Sequence, residues 1–309
     1  MLQYLNIILD DSATSYCHYE PSREQRLISL EDLKAGIRFA MMENLMVQFV
    51  YPDYDLPAAY KETIESIDHF NIKPSGSDAD VCVVDGWDFS TANADIPIVI
   101  RTRMEGLLEH RQQLLTILPQ VKRLNVVITD VDAVMDEMLD AYKQLLEVIA
   151  TRIGQLYTEG ATPQLNIITD RMLLSDMNNC GAGVSNITLA PNGKFYVCPA
   201  FYYEDESGNV GDLEHGLDIK NQQLYRLDHA PICSHCDAYQ CKRCVWLNRK
   251  TTLEVNTPSH EQCVIAHLER NVSRKLLADI RLRLPEYLKE QEIKEIDYLD
   301  PFDKRDEWI

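Results

Sequence analysis

The chain has 309 residues, 45% of them hydrophobic, which allows one large domain or two of ordinary size and excludes wholesale disorder. Forty-nine acidic against 30 basic residues give a net charge of −19, which argues against nucleic acid or an anionic membrane as partner and favours a basic or neutral one. No stretch offers about 18 uncharged apolar residues, and the start MLQYLNIILDD has no basic leader, so the expectation is a cytoplasmic protein without transmembrane helix or signal peptide.

Residues 1–170 alternate short apolar runs with helix-length segments. The first run is 5–9. A helix is expected over 31–45, with Ser29 or the acids after it as cap and Leu33, Ile37 and Met41 on one face. The second run is 46–51, followed by a helix over 57–70 carrying Tyr60, Ile64 and Ile67. The third run, 81–84, follows the loop KPSGSDAD. The fourth, 96–100, precedes a helix over 105–118 that ends at Pro119. The fifth, 124–129, leads into a long helix over 134–157, and the sixth is 165–169. Such apolar runs separated by helices indicate a parallel sheet covered by helices, with function at the carboxyl ends of the strands. Six βα steps fit an open doubly wound sheet or a partial barrel, and the crossover between runs three and four is too short for a full helix.

From Cys180 the texture changes. Residues 187–190 and 195–197 read as a β-hairpin with Asn192-Gly193 in the turn. An acidic, glycine-containing loop follows over 204–216, and 264–284 reads as a helix with Ile265, Leu268, Val272, Leu276, Ile280 and Leu284 on one stripe. The acidic tail from 291 carries Tyr298, Phe302 and Trp308.

Nine cysteines are present, and seven lie between Cys180 and Cys263. The middle four read C-x2-C-x4-C-x2-C over Cys233, Cys236, Cys241 and Cys244, a spacing that turns paired sulfurs toward one soft metal centre. Four thiols close one zinc site or hold one iron–sulfur cluster, and seven exceed what one centre needs. An odd number of cysteines in short brackets suits metal ligation in a reducing compartment better than disulfides. On the zinc reading Cys233, Cys236, Cys241 and Cys244 hold the ion, the remaining thiols are buried, and His235 and His260 are alternative ligands. Cys17 and Cys82 read as structural. The acids Asp130, Asp132, Asp136 and Glu137 read as a solvated helix start, and Gly181-Ala-Gly183 is a weak nucleotide signal.

The order C-x12-G-x4-C, gap, C-x2-C-x4-C-x2-C, gap, C resembles the SPASM domain, the auxiliary-cluster domain behind the radical SAM core of peptide-modifying enzymes. The family's second bracket is usually one residue wider in each of its last two gaps. The resemblance implies two 4Fe–4S clusters, one on Cys180, Cys198 and Cys244, the other on Cys233, Cys236, Cys241 and Cys263. An upstream cysteine that many members use as fourth ligand of the first cluster is absent, which leaves that place to Asp176, another side chain, water or a substrate thiolate. The front half should then be a radical SAM (βα)6 partial barrel, with C-x3-C-x2-C after the first strand. Here LDDSATSYCHYE puts Asp10, Thr14 and Cys17 at the three ligand positions, and Asp and Thr are poor substitutes for thiolates. The glycine-glycine-glutamate turn after the second strand is replaced by Tyr51, Pro52 and Asp53. The barrel therefore reads as degenerate, without S-adenosylmethionine cleavage. The chain as a whole is similar to the CXXX-repeat peptide maturase family.

The fold expected is thus α/β: a degenerate (βα)6 TIM-like barrel over 1–172, a loop-rich SPASM-like domain over 173–266, and a C-terminal helix and tail over 267–309. The implied role is an accessory iron–sulfur protein in maturation of a ribosomally made peptide. Its implied partners are a precursor peptide, of a kind that includes cysteine-rich sequences, and a separate radical SAM maturase. The alternatives are an enzyme using an open iron of the first cluster, and a zinc-stabilised interaction module.

Overall fold

A computed structural model describes residues 1–22, 24–74, 78–84, 86–90 and 92–296. Tyr298, Phe302 and Trp308 of the tail lie outside the described residues, as does the middle of the KPSGSDAD loop. The chain runs β1 (Tyr4–Ile8), α1 (Leu30–Met42), β2 (Met46–Val50), α2 (Ala58–Ile64), β3 (His69–Lys73), β4 (Val81–Val84) and β5 (Ile98–Thr102). It continues through α3 (Met104–Glu109), α4 (Arg111–Ile117), β6 (Arg123–Ile128), α5 (Asp136–Thr158), β7 (Gln164–Leu165) and α6 (Asn166–Leu173). After these come β8 (Asn186–Leu189), β9 (Phe195–Tyr196), α7 (Pro199–Glu204), the small pair β10 (Gly211–Asp212) and β11 (Gly216–Leu217), α8 (Val245–Thr252) and α9 (His260–Arg283).

The chain is a mixed α/β protein that divides into two compact units, 1–99 with 181–225 and 100–180 with 226–309. Six of the nine strands of its largely parallel sheet belong mainly to the first unit, in the order β4-β3-β2-β1-β8-β9. β1 is central there, paired in parallel with both β2 (Tyr4↔Met46) and β8 (Tyr4↔Asn186). That position explains its mainly apolar sequence: Leu5, Ile7 and Ile8 are wholly buried because both faces are covered. The hairpin of β8 and β9 is antiparallel, and Gly193 supplies the positive φ (+74°) that its turn requires.

In α1, Ser29 caps the helix by accepting from the Asp32 backbone at 3.0 Å. Its buried face follows Leu33, Gly36, Ile37 and Ala40. Met41, expected on that face, is 67% exposed. Each four-residue step overshoots a turn by about 40°, so two such steps carry Met41 off the sheet. A second correction concerns 57–70, which is not one helix. α2 stops at Ile64, and 69–73 enters the sheet as β3, in register Val47↔His69. The polar-containing sequence HFNIK hides a strand behind helix-like spacing of Tyr60, Ile64 and Ile67.

The second unit carries β5 from Ile100 onward, β6 and β7, in the order β7-β6-β5. The sixth apolar run is a strand only at Gln164–Leu165; Asn166–Leu173 is helix α6, buried at all but its last position. The Asn166 amide accepts from Val126 N at 2.8 Å and donates to Val126 O at 2.9 Å, so a side chain takes the place of further strand pairing. A short apolar run looks the same as strand or as buried helix. The helix expected over 105–118 is two, α3 and α4, meeting at His110. α9 starts earlier than its apolar stripe, because Ser259 and Gln262 form a reciprocal capping box. It packs along α5, with Leu276 against Gly154.

The acids after β6 act structurally. Asp130 accepts from Met104 N at 2.8 Å and pairs with Arg103 at 3.2 Å, while Asp132 meets Lys250 at 2.9 Å. Cys82 is buried, and that burial pushes its thiol up, as suits a structural residue. Gly181 and Gly183 both have positive φ in a turn where the Gly181 carbonyl accepts from the amides of residues 184–186. Among the described residues no helix is long and apolar enough to cross a membrane.

Candidate metal centre

The cysteine bracket of the second unit is held in shape by side chains. Its four-residue gap opens with Asp237, which is 1% exposed and lies between two buried guanidinium groups. Arg171 donates from Nε to the Asp237 carbonyl at 2.9 Å and from Nη2 to Oδ2 at 3.1 Å, and Arg270 reaches Oδ1 at 3.3 Å. At the far end of the gap Gln240 donates to Ala266 O at 2.6 Å and to Glu269 at 3.3 Å. Glu269 in turn accepts from the Tyr142 hydroxyl at 2.7 Å. Burial pushes the Glu269 carboxyl up to about 7, with the Tyr142 and Gln240 hydrogen bonds opposing it. Asn179 ties down the carbonyls of Tyr239 and Cys241 at 3.2 and 3.3 Å. The loop between Cys236 and Cys241 is therefore anchored to α6 and α9.

Four thiols wall one cavity of about 250 Å³: those of Cys233, Cys236, Cys241 and Cys263, the last from the first turn of α9. Backbone N–H groups of Ala238 and Arg243 point at the sulfurs of Cys236 and Cys241, each at 3.5 Å. His267 Nε2 stands 3.4 Å from Cys236 Sγ. Burial pushes the Cys233 and Cys241 thiols up to about 12, so both enter metal binding as protonated thiols that must lose a proton.

Those four thiols are the set the SPASM resemblance assigns to the second cluster. Cys244, which the zinc reading needs, is absent from the cavity wall; it caps α8, its sulfur accepting from Leu247 N at 3.5 Å. Cys180 is also outside that wall and half-buried, and Cys198 belongs to the first unit, at the N-terminus of α7. Asp176 lines a neighbouring cavity with Cys233 and Cys236, and His235 lines both cavities. His260 opens α9 and lines neither cavity. Among the described residues no three His, Cys, Asp or Glu side chains are grouped to hold a single ion. Four thiols on one cavity wall are soft donors of the kind that a zinc ion or an iron–sulfur cluster takes.

In the first unit, the loop after β1 is closed by oxygen chemistry. Asp10, wholly buried, accepts from the Tyr54 hydroxyl at 2.9 Å and from Ser12 N and Oγ at 2.9 and 2.6 Å. Asp11 pairs with Arg26 at 2.8 Å and accepts from the Tyr202 hydroxyl, while Arg26 also meets Glu206. Thr14 lends its carbonyl to the Tyr19 hydroxyl at 2.9 Å, and Tyr19 stacks on Tyr203 at 4.9 Å. Cys17 is half-buried in that loop. Tyr51, Pro52 and Asp53 line a cavity of about 530 Å³ at the ends of β2 and β3.

No protein-family model and no curated protein matches the sequence. Among solved structures the chain is similar to anSMEcpe, a radical SAM/SPASM anaerobic sulfatase-maturating enzyme, determined with bound AdoMet. The TM-score is 0.66 at 11% identity, over 93% of this chain and 97% of that one. That likeness is one of fold. A second anSMEcpe structure, with AdoMet and the Kp18Cys peptide, matches at TM-score 0.60 and 10% identity, over 93% of this chain and all of that one. SuiB of Streptococcus suis, bound to precursor peptide SuiA, matches at TM-score 0.43 and 13% identity, over 78% of this chain and 70% of that one.

Sequence reading missed Asp237, Arg243, His267 and Glu269. Two of these were signalled, since a charged residue inside a metal bracket needs a reason to be there. His267 and Glu269 lie on α9 where the stripe reads as plain helix, and only packing reveals them.

Proposed function

We propose that this chain is an accessory iron–sulfur protein in the maturation of a ribosomally made peptide, akin to the CXXX-repeat peptide maturases. It works beside a separate radical SAM maturase and does not itself cleave S-adenosylmethionine. Cys233, Cys236, Cys241 and Cys263 hold one 4Fe–4S cluster, and Cys180, Cys198 and Cys244 hold the other. Such clusters supply one-electron transfer when bound. The chain's own residues keep the ligand loop in place through Asp237 and Gln240.

The observation that carries the reading is the loop after β1. A radical SAM fold places three cluster thiolates there. Here the first position is Asp10, buried and already engaged by Tyr54 and Ser12, and the adjoining Asp11 is locked to Arg26 and Tyr202. Carboxylates committed to internal hydrogen bonds are poor ligands for a thiolate-type cluster. The first auxiliary centre, with three cysteines, supports a second reading, in which its remaining iron position takes a peptide thiolate.

The direct test is anaerobic incubation of the reduced, partner-free protein with S-adenosylmethionine. No 5′-deoxyadenosine above background is the expected result. Sustained production would contradict the degenerate barrel.

A further inference from the structure

We propose that Arg243 is a counter-charge shared by the two cysteine groups, and that it raises the reduction potentials of both centres together. The inference rests on the two-cluster reading above. Arg243 lies between Cys241 and Cys244 in sequence, is 3% exposed, and lines the cavity with Cys233, Cys236, Cys241 and Cys263. Its Nη2 donates to Asn178 Oδ1 at 3.0 Å, which holds the guanidinium beside the segment leading into Cys180. Its backbone N–H faces Cys241 Sγ at 3.5 Å, and its φ of +44° is the left-handed conformation that a non-glycine residue keeps only when its surroundings fix it.

Charge then decides what the position does. The Asn178 bond holds the guanidinium near the segment of Cys180, and the cavity wall sets it beside Cys233 and Cys241. Cys180 belongs to one implied cluster and Cys233 and Cys241 to the other. A guanidinium stays charged in proteins, and burying it is unfavourable unless anions offset it. Neutral thiols offset little, whereas iron-bound thiolates carry negative charge. Two anionic centres close to one cation repel each other less, and each accepts an electron more readily, because reduction adds negative charge. Net charge and hydrogen bonds to sulfur are what set cluster potentials. His267 stands 3.4 Å from Cys236 Sγ, a ligand of one implied cluster.

The test uses full-length protein reconstituted anaerobically, as wild type, R243K, R243M and R243Q, with iron and sulfide counted and each centre followed by EPR during redox titration. R243M and R243Q are expected to lower the reduction equilibrium of both centres about tenfold, which is about 59 mV for a one-electron couple, while R243K stays near wild type. Fully loaded neutral variants in which neither potential moves, or only one does, would overturn the proposal. If the neutral variants load only in part, the titration is read on the centres that assemble, and potentials that do not move there overturn the proposal. Failure of all three overturns it, since lysine keeps the charge. A wild type that binds no iron is a different failure, that of the two-cluster reading itself.

Discussion

Replacing Asp237 by alanine is expected to cost about 3–5 kcal/mol of stability, the range found when one partner of a buried ion pair is removed. The effect is large because one carboxylate serves two arginines. Arg171 is 0% exposed and Arg270 2%, and both direct guanidinium N–H groups at the two oxygens of Asp237. Arg171 keeps its second partner, Glu295 at 3.0 Å, but Glu295 is partly exposed and so weaker as an anchor. Asp237→Asn keeps the shape and one acceptor, and should cost less. The loss is read from denaturant unfolding of the metal-free protein, so that cluster assembly does not enter. A cost below about 1 kcal/mol, the level of an ordinary surface pair, would show that the bracket is not held by this network.

Serine substitutions should split the cysteines into two groups by iron content. Cys241→Ser and Cys263→Ser are each expected to remove about half of roughly eight irons and to abolish the same EPR signal. Cys180→Ser and Cys244→Ser should remove the other half. Cys17→Ser and Cys82→Ser should leave the content unchanged. The informative comparison is Cys244 with Cys263. A single zinc on the C-x2-C-x4-C-x2-C bracket makes Cys244 essential and Cys263 dispensable. The shared cavity of Cys233, Cys236, Cys241 and Cys263 makes Cys263 the partner of Cys241.

Where one physical signal dominated, the chain was legible from its residues. β1 reads as a buried parallel strand because its run is mainly apolar, and α1 reads from its Ser29 cap and its stripe. The hairpin turn reads from Asn192-Gly193, where φ must be positive. β3 was hidden because HFNIK is short and polar enough to pass as the end of a helix. α6 was hidden because an apolar run of that length has no periodicity to separate helix from strand, and the deciding contact is Asn166 with Val126, 40 residues away. At the site, local spacing put the cysteines in groups, but not the choice between Cys244 and Cys263 as fourth wall of the cavity, which α9 makes by starting at His260. The network of Asp11, Arg26, Tyr202 and Glu206 was likewise beyond reach, since the bonds that join its first two members to its last two span 176 or more residues.

The central claim, that these thiols carry two iron–sulfur clusters, is tested most directly by anaerobic purification followed by iron, sulfide and zinc analysis. The account predicts about eight irons and about eight sulfides per chain, with no stoichiometric zinc. One zinc per chain and no acid-labile sulfide would contradict it.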